Sequence, residues 1–393
     1  MKLLHIIGSM DPHTGGPCQT IRNFAPPFIA KGNQLEVVCL DDPKSDYLGT
    51  DRFQVHALGQ GRGGWNFHPA LSPWLESNLS RYDAVILNGL WQYQGYALWK
   101  VAQRTKTPPY YIYPHGMLDP WFQKLSVRPM KAVRNWMVWK LFQHRIVSHA
   151  SALLFTCEEE RRLARMPFRP YAPKQEAVVG LGLPEPPVYA EKMKLAFGEK
   201  CPGLNNEPYL LFIGRIHEKK GVDALIKAYA LVADSAAGKP LPKLVIAGPG
   251  LQHDYGKKIY QLADETCPKG SVLWPGMLTG DAKWGALYNC EASILPSHQE
   301  NFGISVVETL ACGRPVLISN QVNIWREIKE AGAAFVQPDT TAGTMELLRE
   351  WTGLTPEARS RMAAQARPCF QDSFSIEHAI KKLMVTITSP TSS

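Results

Sequence analysis

Short apolar runs, separated by longer amphipathic stretches, constrain the fold of this chain most strongly. They form two series: first LLHII (3–7), LEVVCL (35–40), AVILN (84–88), YYIYP (110–114) and ALLFT (152–156), then YLLFIG (209–214), KLVIAG (243–248), ASILPS (292–297) and RPVLIS (314–319). Apolar runs of this length, bounded mostly by glycine, proline or polar turns, are typical of buried strands. Strands that alternate with helices predict parallel sheets, and two series predict two α/β domains.

The length of 393 residues agrees with two domains, since single cores usually stop growing near ~250–300 residues. A segment rich in proline and glycine, VVGLGLPEPPVYAEK (178–192), lies between the two series and is a linker candidate. We therefore expect an N-terminal domain over 1–185 and a C-terminal domain over 186–369. The last helical segment, 370–393, is expected to pack back on the N-terminal domain.

Charge and cysteine content narrow the class of protein. The formal net charge of +8 favours an anionic partner (a phosphate ligand, an acidic membrane surface or a nucleic acid), although a merely basic protein is an equally good interpretation. Eight cysteines without a C-x-x-C pair disfavour a disulfide framework or zinc site and fit a reducing cytosol. The N-terminal apolar stretch, interrupted by His5 and ended by Gly8, reads as a first strand rather than a signal peptide, and no apolar run reaches ~18 residues.

The segment PSHQENFGISVVETLACGRPV (296–316) carries two acids around an apolar, glycine-containing run. We predict a strand, a loop that holds Glu300, and a helix with Glu308 in its second turn. The amides near Phe302, Gly303 and Ile304 would form a helix N-terminus, which favours an anion. Because carboxylates accept hydrogen bonds from sugar hydroxyls, this pattern suggests a nucleoside diphosphate sugar. The alternative is a solvated loop acid and an unrelated helix-face acid.

The segment GRIHEKKG (214–221) directly follows a predicted strand. It concentrates positive charge from Arg215, Lys219 and Lys220 at the carboxyl end of that strand. A guanidinium and an ammonium there can clamp a diphosphate and stabilise it as a leaving group. A solvated basic turn before a helix is an equally good interpretation.

Two further segments follow predicted strands of the first series. In GSMDPHTGGP, Gly15 and Gly16 would let backbone amides approach a ligand, and the alternative is a flexible turn. In PHGMLDPW, His115 lies where a ligand can be hydrogen-bonded or oriented, although a lone histidine is more often structural.

Several other catalytic patterns are absent or misplaced. GQGRGG (59–64) has the dinucleotide-binding spacing but lacks the acid after the next strand, and GPGLQHDYGKK departs from P-loop spacing. The chain has no H-E-x-x-H, no G-x-S-x-G and no Asp-x-Asp, the motif of metal-dependent sugar transferases of the other major fold. We therefore predict activity without a metal.

Taken together, these motifs resemble a known family. Glu300 and Glu308 in E-x7-E spacing before ACGRPV, with GRIHEKKG, LVIAGPG, TGGP and PHGMLDPW in this order, resemble the retaining glycosyltransferases of family four, which includes bacterial enzymes of exopolysaccharide and O-antigen synthesis. The likeness spans nearly the whole chain. One departure is Leu181, where the family usually has asparagine.

The resemblance implies a GT-B fold, in which two Rossmann-like domains face each other across a cleft. It also implies roles: Glu300 would contact hydroxyls of the donor sugar and Glu308 the ribose. Arg215 and Lys220 would hold the diphosphate, and His115 would lie near the reacting carbon. The remaining donor-binding residues it implies are Gly15, Gly16, Asn301, Phe302, Gly303 and Ile304.

The implied reaction moves a hexose-like unit from a UDP- or GDP-sugar to a hydroxyl of a glycan or lipid-linked glycan, in cell-surface polysaccharide biosynthesis. It needs no metal or cofactor, and no nucleic acid is expected as a partner. Two alternatives stay open: a sugar-nucleotide epimerase of the same fold, and a non-catalytic subunit that binds nucleotide sugars.

Residues 127–147 mix basic and apolar side chains and suggest a helix on an anionic membrane leaflet. The segment contains Arg128, Lys131, Arg134, Trp136, Met137, Trp139, Lys140, Leu141 and Arg145. The alternative, slightly favoured by the imperfect separation of the two classes, is a surface helix that buries its aromatic side chains. We expect a cytoplasmic protein, with peripheral contact at the inner face of the plasma membrane as a hypothesis.

Overall fold

The computed structural model describes residues 1–123, 129–235 and 241–389. Its contacts divide the chain into two compact units: Met1–Pro184 with Ile376–Ser393, and Glu185–Ser375. The first boundary thus lies one residue before the expected position, and the segment that rejoins the first unit begins at Ile376. The expected linker contributes its first residue to a strand.

The helices and strands alternate along both units. The strands are β1 Lys2–Ile6, β2 Gln34–Cys39, β3 Gln54–Ala57, β4 Ala84–Asn88, β5 Tyr110–Tyr113, β6 Ala152–Phe155, β7 Glu176–Val178, β8 Tyr209–Ile213, β9 Lys243–Ala247, β10 Val272–Gly276, β11 Ala292–Leu295, β12 Val316–Ser319 and β13 Ala334–Gln337. The helices are α1 Gly16–Ala30, α2 Leu71–Asn78, α3 Tyr93–Arg104, α4 Pro129–Val138, α5 His144–His149, α6 Glu158–Ala164, α7 Glu191–Lys200, α8 Val222–Ser235, α9 Asp254–Thr266, α10 Gly280–Asn289, α11 Ile304–Ala311, α12 Trp325–Glu330, α13 Thr341–Gly353, α14 Pro356–Cys369 and α15 Ile376–Thr388.

Both units contain a parallel sheet with the same winding. In the described part of the chain, the strand order is β3-β2-β1-β4-β5-β6-β7 in the first unit and β10-β9-β8-β11-β12-β13 in the second. Both follow the 3-2-1-4-5-6 order of Rossmann folds, which confirms the predicted fold class. The winding reverses between β1 and β4 and between β8 and β11, and ligands bind at the carboxyl ends of strands beside such points.

Helices cover both faces of the first sheet, which explains why its central strands carry apolar residues on both faces. In β1, Leu4 and Ile6 belong to the cluster that includes α2 and α3 residues, whereas Leu3 belongs to a cluster with α1 and α15. Successive side chains of a strand point to opposite faces, so both faces need apolar residues. From α15, the residues Ile376, Ile380, Leu383 and Ile387 are buried in this second cluster.

The apolar runs predict every central strand and none of the edges. The nine predicted runs match the nine strands with two neighbours in the described residues, whereas β3, β7, β10 and β13 were missed. Those four strands lie at the edges of the sheets and their residues are mostly half-buried. A half-buried strand does not need a continuous apolar run, and Pro275 in β10 is tolerated because an edge strand can leave one side unbonded.

Candidate functional site

In the second unit, the loop after β8 is bonded to the loop after β11. The carbonyl oxygen of Lys219 accepts hydrogen bonds from the His298 N–H (2.9 Å) and the Ser297 hydroxyl (3.0 Å). Gly221 has φ +67°, and a Cβ there would lie 2.2 Å from the carbonyl oxygen of Pro296. Only glycine allows this close approach, so the end of GRIHEKKG is fixed against the strand that leads to Glu300.

Lys220 and Glu300 meet at this junction in an ion pair between Nζ and Oε2. Their side chains retain only 17% and 19% exposure. The backbone of Glu300 is held from the other side: its N–H donates to the Gln321 carbonyl and its own carbonyl accepts from the Asn323 N–H, both at 2.9 Å. The structure therefore brings together a cation and an acid that the sequence assigned to diphosphate and sugar respectively.

The start of α11 lies directly after this pair. Gly303 is its N-cap, with φ +77°, and the amides of Gly303 and Ile304 have no hydrogen-bond acceptor among the described residues. Phe302 is buried, with its ring centroid 5.9 Å from that of Phe374, and Asn301 accepts a long hydrogen bond of 3.5 Å from the Asn323 amide. Free amides at a helix N-terminus favour an anionic ligand.

Glu308 forms an ion pair with Lys283 of α10, with 2.6 Å between Oε1 and Nζ. Both side chains are partly buried. Lys220, by contrast, is paired with Glu300. The helix that carries Glu308 is closed behind it by hydrogen bonds from Gly313 N–H to the Leu310 carbonyl and from Arg314 N–H to the Thr309 carbonyl. The sequence reasoning missed Lys283, because nothing in its own segment signals a partner 25 residues away.

Arg215 lies immediately after β8, beside the loop that follows β9. Its neighbour Ile216 donates its N–H to the Pro249 carbonyl (2.8 Å), and a Cβ at Gly250 would lie 2.5 Å from the Ile216 carbonyl oxygen. The backbone at Arg215 is thus fixed by the GPG segment that follows β9. Its side chain is exposed and makes no ion pair within the described residues.

In the first unit, His115 lies just beyond β5 with φ +51°, in a backbone region uncommon for residues other than glycine. Its ring stacks on Tyr113, with centroids 4.6 Å apart, and its Nε2 lies 3.1 Å from Oδ1 of Asn88. The amide of Asn88 in turn lies 3.2 Å from Nδ1 of His5. Burial lowers the pKa of His115 to about 4, so the imidazole is neutral near pH 7.

A buried carboxylate fixes the turn that carries His115. Glu160 of α6 accepts hydrogen bonds from the Gly116 N–H (2.5 Å), the Thr156 N–H (2.7 Å) and the Thr156 hydroxyl (2.6 Å). Gly116 also has a positive φ of +77°. The sequence reasoning missed both Asn88 and Glu160. The signal for Asn88 was present, since it is a polar residue that ends an apolar strand, as His115 follows one.

Gly15 and Gly16 lie at the start of α1, after β1. Gly15 has φ +110°, and a Cβ at either glycine would meet no atom within 4 Å, so the backbone there is open. The preceding loop is held by Asp41, which accepts from the Ser9 hydroxyl (2.6 Å), the Met10 N–H (2.7 Å) and the Tyr47 hydroxyl (3.0 Å). Close approach of a ligand at Gly15 and Gly16 remains a prediction.

Across residues 1–123, 129–235 and 241–389, no group of three or more His, Cys, Asp or Glu side chains is placed to hold a metal ion. In the same residues, no helix has the length and apolar character needed to cross a bilayer. Metal independence itself remains a prediction.

Comparison with known proteins finds two family models, one for each half of the chain. Residues 15–182 match the glycosyl transferase 4-like domain, and residues 200–368 match the glycosyl transferases group 1. An uncharacterized glycosyltransferase of Methanocaldococcus jannaschii is 30% identical over 164 residues, 40% of each chain. A D-inositol 3-phosphate glycosyltransferase of Thermomonospora curvata is 30% identical over 176 residues, 42% of this chain and 39% of that protein. The matches thus span about two fifths of these curated relatives.

A solved structure extends the likeness to the whole chain. HepE of Anabaena, in complex with UDP and glucose, has a TM-score of 0.74 at 16% identity and covers 99% of this chain and 100% of its own. At this identity the likeness shows the fold alone. The two sheets, each with strands in the order 3-2-1-4-5-6, and this neighbour agree on the GT-B fold, and the two family models show that the chain belongs to the family-four-like glycosyltransferases.

Proposed function

We propose that this protein is a retaining glycosyltransferase that moves a hexose-like unit from a UDP- or GDP-sugar to a hydroxyl of a glycan or lipid-linked glycan. The biological setting we propose is cell-surface polysaccharide biosynthesis. The observation that carries the proposal is the ion pair of Lys220 and Glu300 at the point where the second sheet reverses its winding. Ligands of open α/β sheets bind beside such a point.

The diphosphate of the donor would bind beside Lys220. In this role Lys220 shares its three N–H donors between Glu300 and a phosphate oxygen, and the exposed guanidinium of Arg215 adds a second cation. The unpaired amides of Gly303 and Ile304 contribute partial positive charge at the same helix start. Negative charge that develops on the departing diphosphate is thereby stabilised, and no proton transfer to the leaving group is needed.

The two acids would bind hydroxyl groups on either side of the diphosphate. Glu300, whose backbone is fixed by Gln321 and Asn323, would accept hydrogen bonds from the donor sugar. Glu308 would accept from the ribose, and its ion pair with Lys283 would hold the carboxylate in place. The neutral imidazole of His115 would bind the donor sugar near the reacting carbon.

The ligands of one similar structure support the donor class. The neighbour from Anabaena is a complex with UDP and glucose, whereas the name of the relative from Thermomonospora curvata, D-inositol 3-phosphate glycosyltransferase, specifies no donor. For the present chain, the donor sugar, the acceptor and the retention of configuration are part of the proposal.

A donor screen followed by product analysis tests this function. The melting temperature would be measured with UDP-glucose, UDP-galactose, UDP-N-acetylglucosamine and GDP-mannose, because a ligand that binds the folded state stabilises it. The stabilising donor would then be incubated with glycan acceptors, and the anomeric configuration of the product read by NMR. We expect the α-linkage of the donor to be kept. An inverted linkage contradicts retention, and an epimerised or free sugar without transfer favours the alternative enzyme class.

A membrane contact is the second part of the proposal, in line with an acceptor carried on a lipid. Residues 127 and 128 of the predicted segment lie outside the described residues. In the part that is described, Met130 and Leu141 are 87% and 66% exposed, and Val133, Trp136 and Met137 are also exposed. Trp139, by contrast, is fully buried, so the alternative of buried aromatic side chains holds for this residue.

Charge agrees with an anionic bilayer surface as the partner of this face. Arg134, Lys140 and Arg145 are exposed among the apolar side chains. The sequence contains no aspartate or glutamate between Asp119 and Glu158, so no acid of this segment opposes an anionic leaflet. Exposed apolar side chains among basic ones suit the interface between lipid headgroups and acyl chains. We propose peripheral contact at the inner face of the plasma membrane of a cytoplasmic protein.

A further inference from the structure

Three neighbouring strands of the first sheet each bring one polar side chain to the same place. β1 contributes His5, β4 ends at Asn88, and β5 is followed by His115. These side chains form a hydrogen-bonded row, with 3.1 Å between His115 Nε2 and Asn88 Oδ1 and 3.2 Å between Asn88 Nδ2 and His5 Nδ1. His5 and Asn88 are buried, whereas His115 is partly exposed.

The surroundings of Asn88 decide which way its amide points. Its Nδ2 lies 3.3 Å from the Ile6 carbonyl oxygen and 3.3 Å from the Ile86 carbonyl oxygen. Carbonyl oxygens only accept hydrogen bonds, so the group that faces them must be the NH₂. Rotating the amide by 180° would place Oδ1 against two other oxygens. Asn88 Oδ1 therefore faces His115.

The orientation of Asn88 fixes the tautomer of His115. Because Oδ1 can only accept, His115 Nε2 must carry the proton that is donated to it. The other ring nitrogen, Nδ1, then carries a lone pair, and it has no hydrogen-bond partner among the described residues. The ring cannot turn freely, since it is stacked on Tyr113 at an interplanar angle of 7°.

We propose that Asn88 is a positioning residue that presents His115 Nδ1 as a hydrogen-bond acceptor to a hydroxyl group of the donor sugar. This inference rests on the proposed function for the identity of the ligand, but the tautomer itself does not depend on it. A protonated imidazole has no acceptor, so the arrangement works only while His115 is neutral. Burial, which lowers the pKa of His115 to about 4, satisfies that condition.

The ionisable groups around His115 are consistent with a neutral ring. Tyr113 stacks on it, and burial, then the nearby Glu160, raises the pKa of Tyr113 well above its ordinary value, so this phenol is also neutral. Burial, then His115, lowers the pKa of His5 to about 3. The carboxylate of Glu160 accepts hydrogen bonds from the Gly116 N–H and from the N–H and hydroxyl of Thr156. No carboxylate is recorded as hydrogen-bonded to the His115 ring in the described structure.

The test is a ¹H–¹⁵N NMR spectrum of the full chain with ¹⁵N-labelled histidine, without any substrate, at pH 7. His115→Gln assigns the signals. We expect a solvent-protected proton on His115 Nε2 and an unprotonated Nδ1. In Asn88→Leu this protected proton should be lost. In the matched variant His5→Leu it should remain, because the carbonyls of Ile6 and Ile86 still hold the Asn88 amide.

Kinetics then separates positioning from folding. With the donor found in the screen, Asn88→Leu should lower kcat/KM by about tenfold, the cost of one misplaced hydrogen bond. A proton on Nδ1 of the unmodified protein overturns the inference, whether or not Asn88→Leu folds. An Nε2 proton that survives in a folded Asn88→Leu also overturns it. The predicted tautomer in a protein that transfers no sugar would instead contradict the proposed function.

Discussion

Lys220 and Glu300 hold each other in place at the carboxyl edge of the second sheet. This pairing means that Lys220 has two tasks in the proposed reaction: it neutralises Glu300 and it stabilises the departing diphosphate. The backbone at both residues is held by hydrogen bonds that do not involve these side chains: Glu300 is bonded to Gln321 and Asn323, and the Lys220 N–H donates to the His217 carbonyl. A substitution of Lys220 should therefore affect catalysis more than folding.

We expect Lys220→Ala to lower kcat by about 10²–10³-fold, the usual cost of removing one preorganised group that stabilises developing charge. The matched control is Lys258→Ala, which removes an exposed lysine of α9 in the same unit. Its rate should stay within about twofold of the unmodified protein. Steady-state kinetics with the identified donor measures both. A near-normal kcat of the Lys220→Ala enzyme would show that Lys220 is not a catalytic residue.

A substitution at Gly221 tests whether the contact between the loops after β8 and β11 contributes to stability. Alanine at Gly221 meets both a positive φ and the carbonyl of Pro296, whereas alanine at Gly270 meets only a positive φ of +72°, with no atom within 4 Å of its Cβ. Gly270→Ala should cost about 1–2 kcal/mol of unfolding free energy from backbone strain. Gly221→Ala should cost about 1–3 kcal/mol more from the added steric conflict. Urea unfolding midpoints compare the two, and equal midpoints would contradict the steric argument.

At the scale of elements, α4 and the π-helical segment Trp139–Gln143 that follows it present exposed apolar side chains among basic ones. Its residues Met130, Val133 and Met137 follow helical spacing of three and four, and Leu141 continues the same stripe. Exposing these apolar side chains to water is unfavourable, and they do not contribute to the core of the fold. Contact with a bilayer would recover part of it.

We expect the protein to sediment with liposomes that contain anionic lipid, more strongly as the anionic fraction rises and less strongly at high salt. Arg134→Gln together with Lys140→Gln should weaken binding, since each basic residue near the surface contributes about 1 kcal/mol. Arg349→Gln with Arg361→Gln, on α13 and α14 of the second unit, gives a control of equal charge change. Protein that stays in the supernatant under every condition would contradict the proposed membrane contact.

At the scale of the whole molecule, each unit repeats the same winding, and the chain returns to the first unit through α15. Four buried residues of this helix complete the core beside α1, and the hydroxyl of Tyr111 donates to the Ile387 carbonyl at 3.4 Å. The first unit therefore needs residues from both ends of the chain. The second unit is continuous from Glu185 to Ser375 and carries the cationic groups proposed for the diphosphate.

In the proposed function, those cationic groups take the place that a divalent ion would have beside a diphosphate, so we expect transfer to continue in excess EDTA. Added magnesium or manganese should change the rate by less than about twofold, because the charge on the leaving group is already met by Lys220, Arg215 and the start of α11. The initial rate with the identified donor is the measurement. A rate that falls on chelation and returns with a divalent ion would show that these cationic groups do not suffice without a metal ion.

The sequence by itself determined the fold class and the positions of the buried strands. A strand covered on both faces needs apolar residues on both faces, so β1, β4, β8 and β11 can be recognised in the sequence as short, mainly apolar runs. The residues that follow these runs mark the carboxyl edges of the sheets. The edge strands β3 and β13 are only half-covered, so no local pattern requires them.

Tertiary structure alone decided which side chains become partners. Lys220 and Glu300 are 80 residues apart, Lys283 and Glu308 are 25 apart, and Asn88 lies between His5 and His115 only because β4 is placed between β1 and β5. Local sequence patterns indicate whether a residue is buried in its own strand or helix or caps the end of a helix. Pairing across strands depends on the order in which the sheet is wound, and that order is set by the packing of the whole unit.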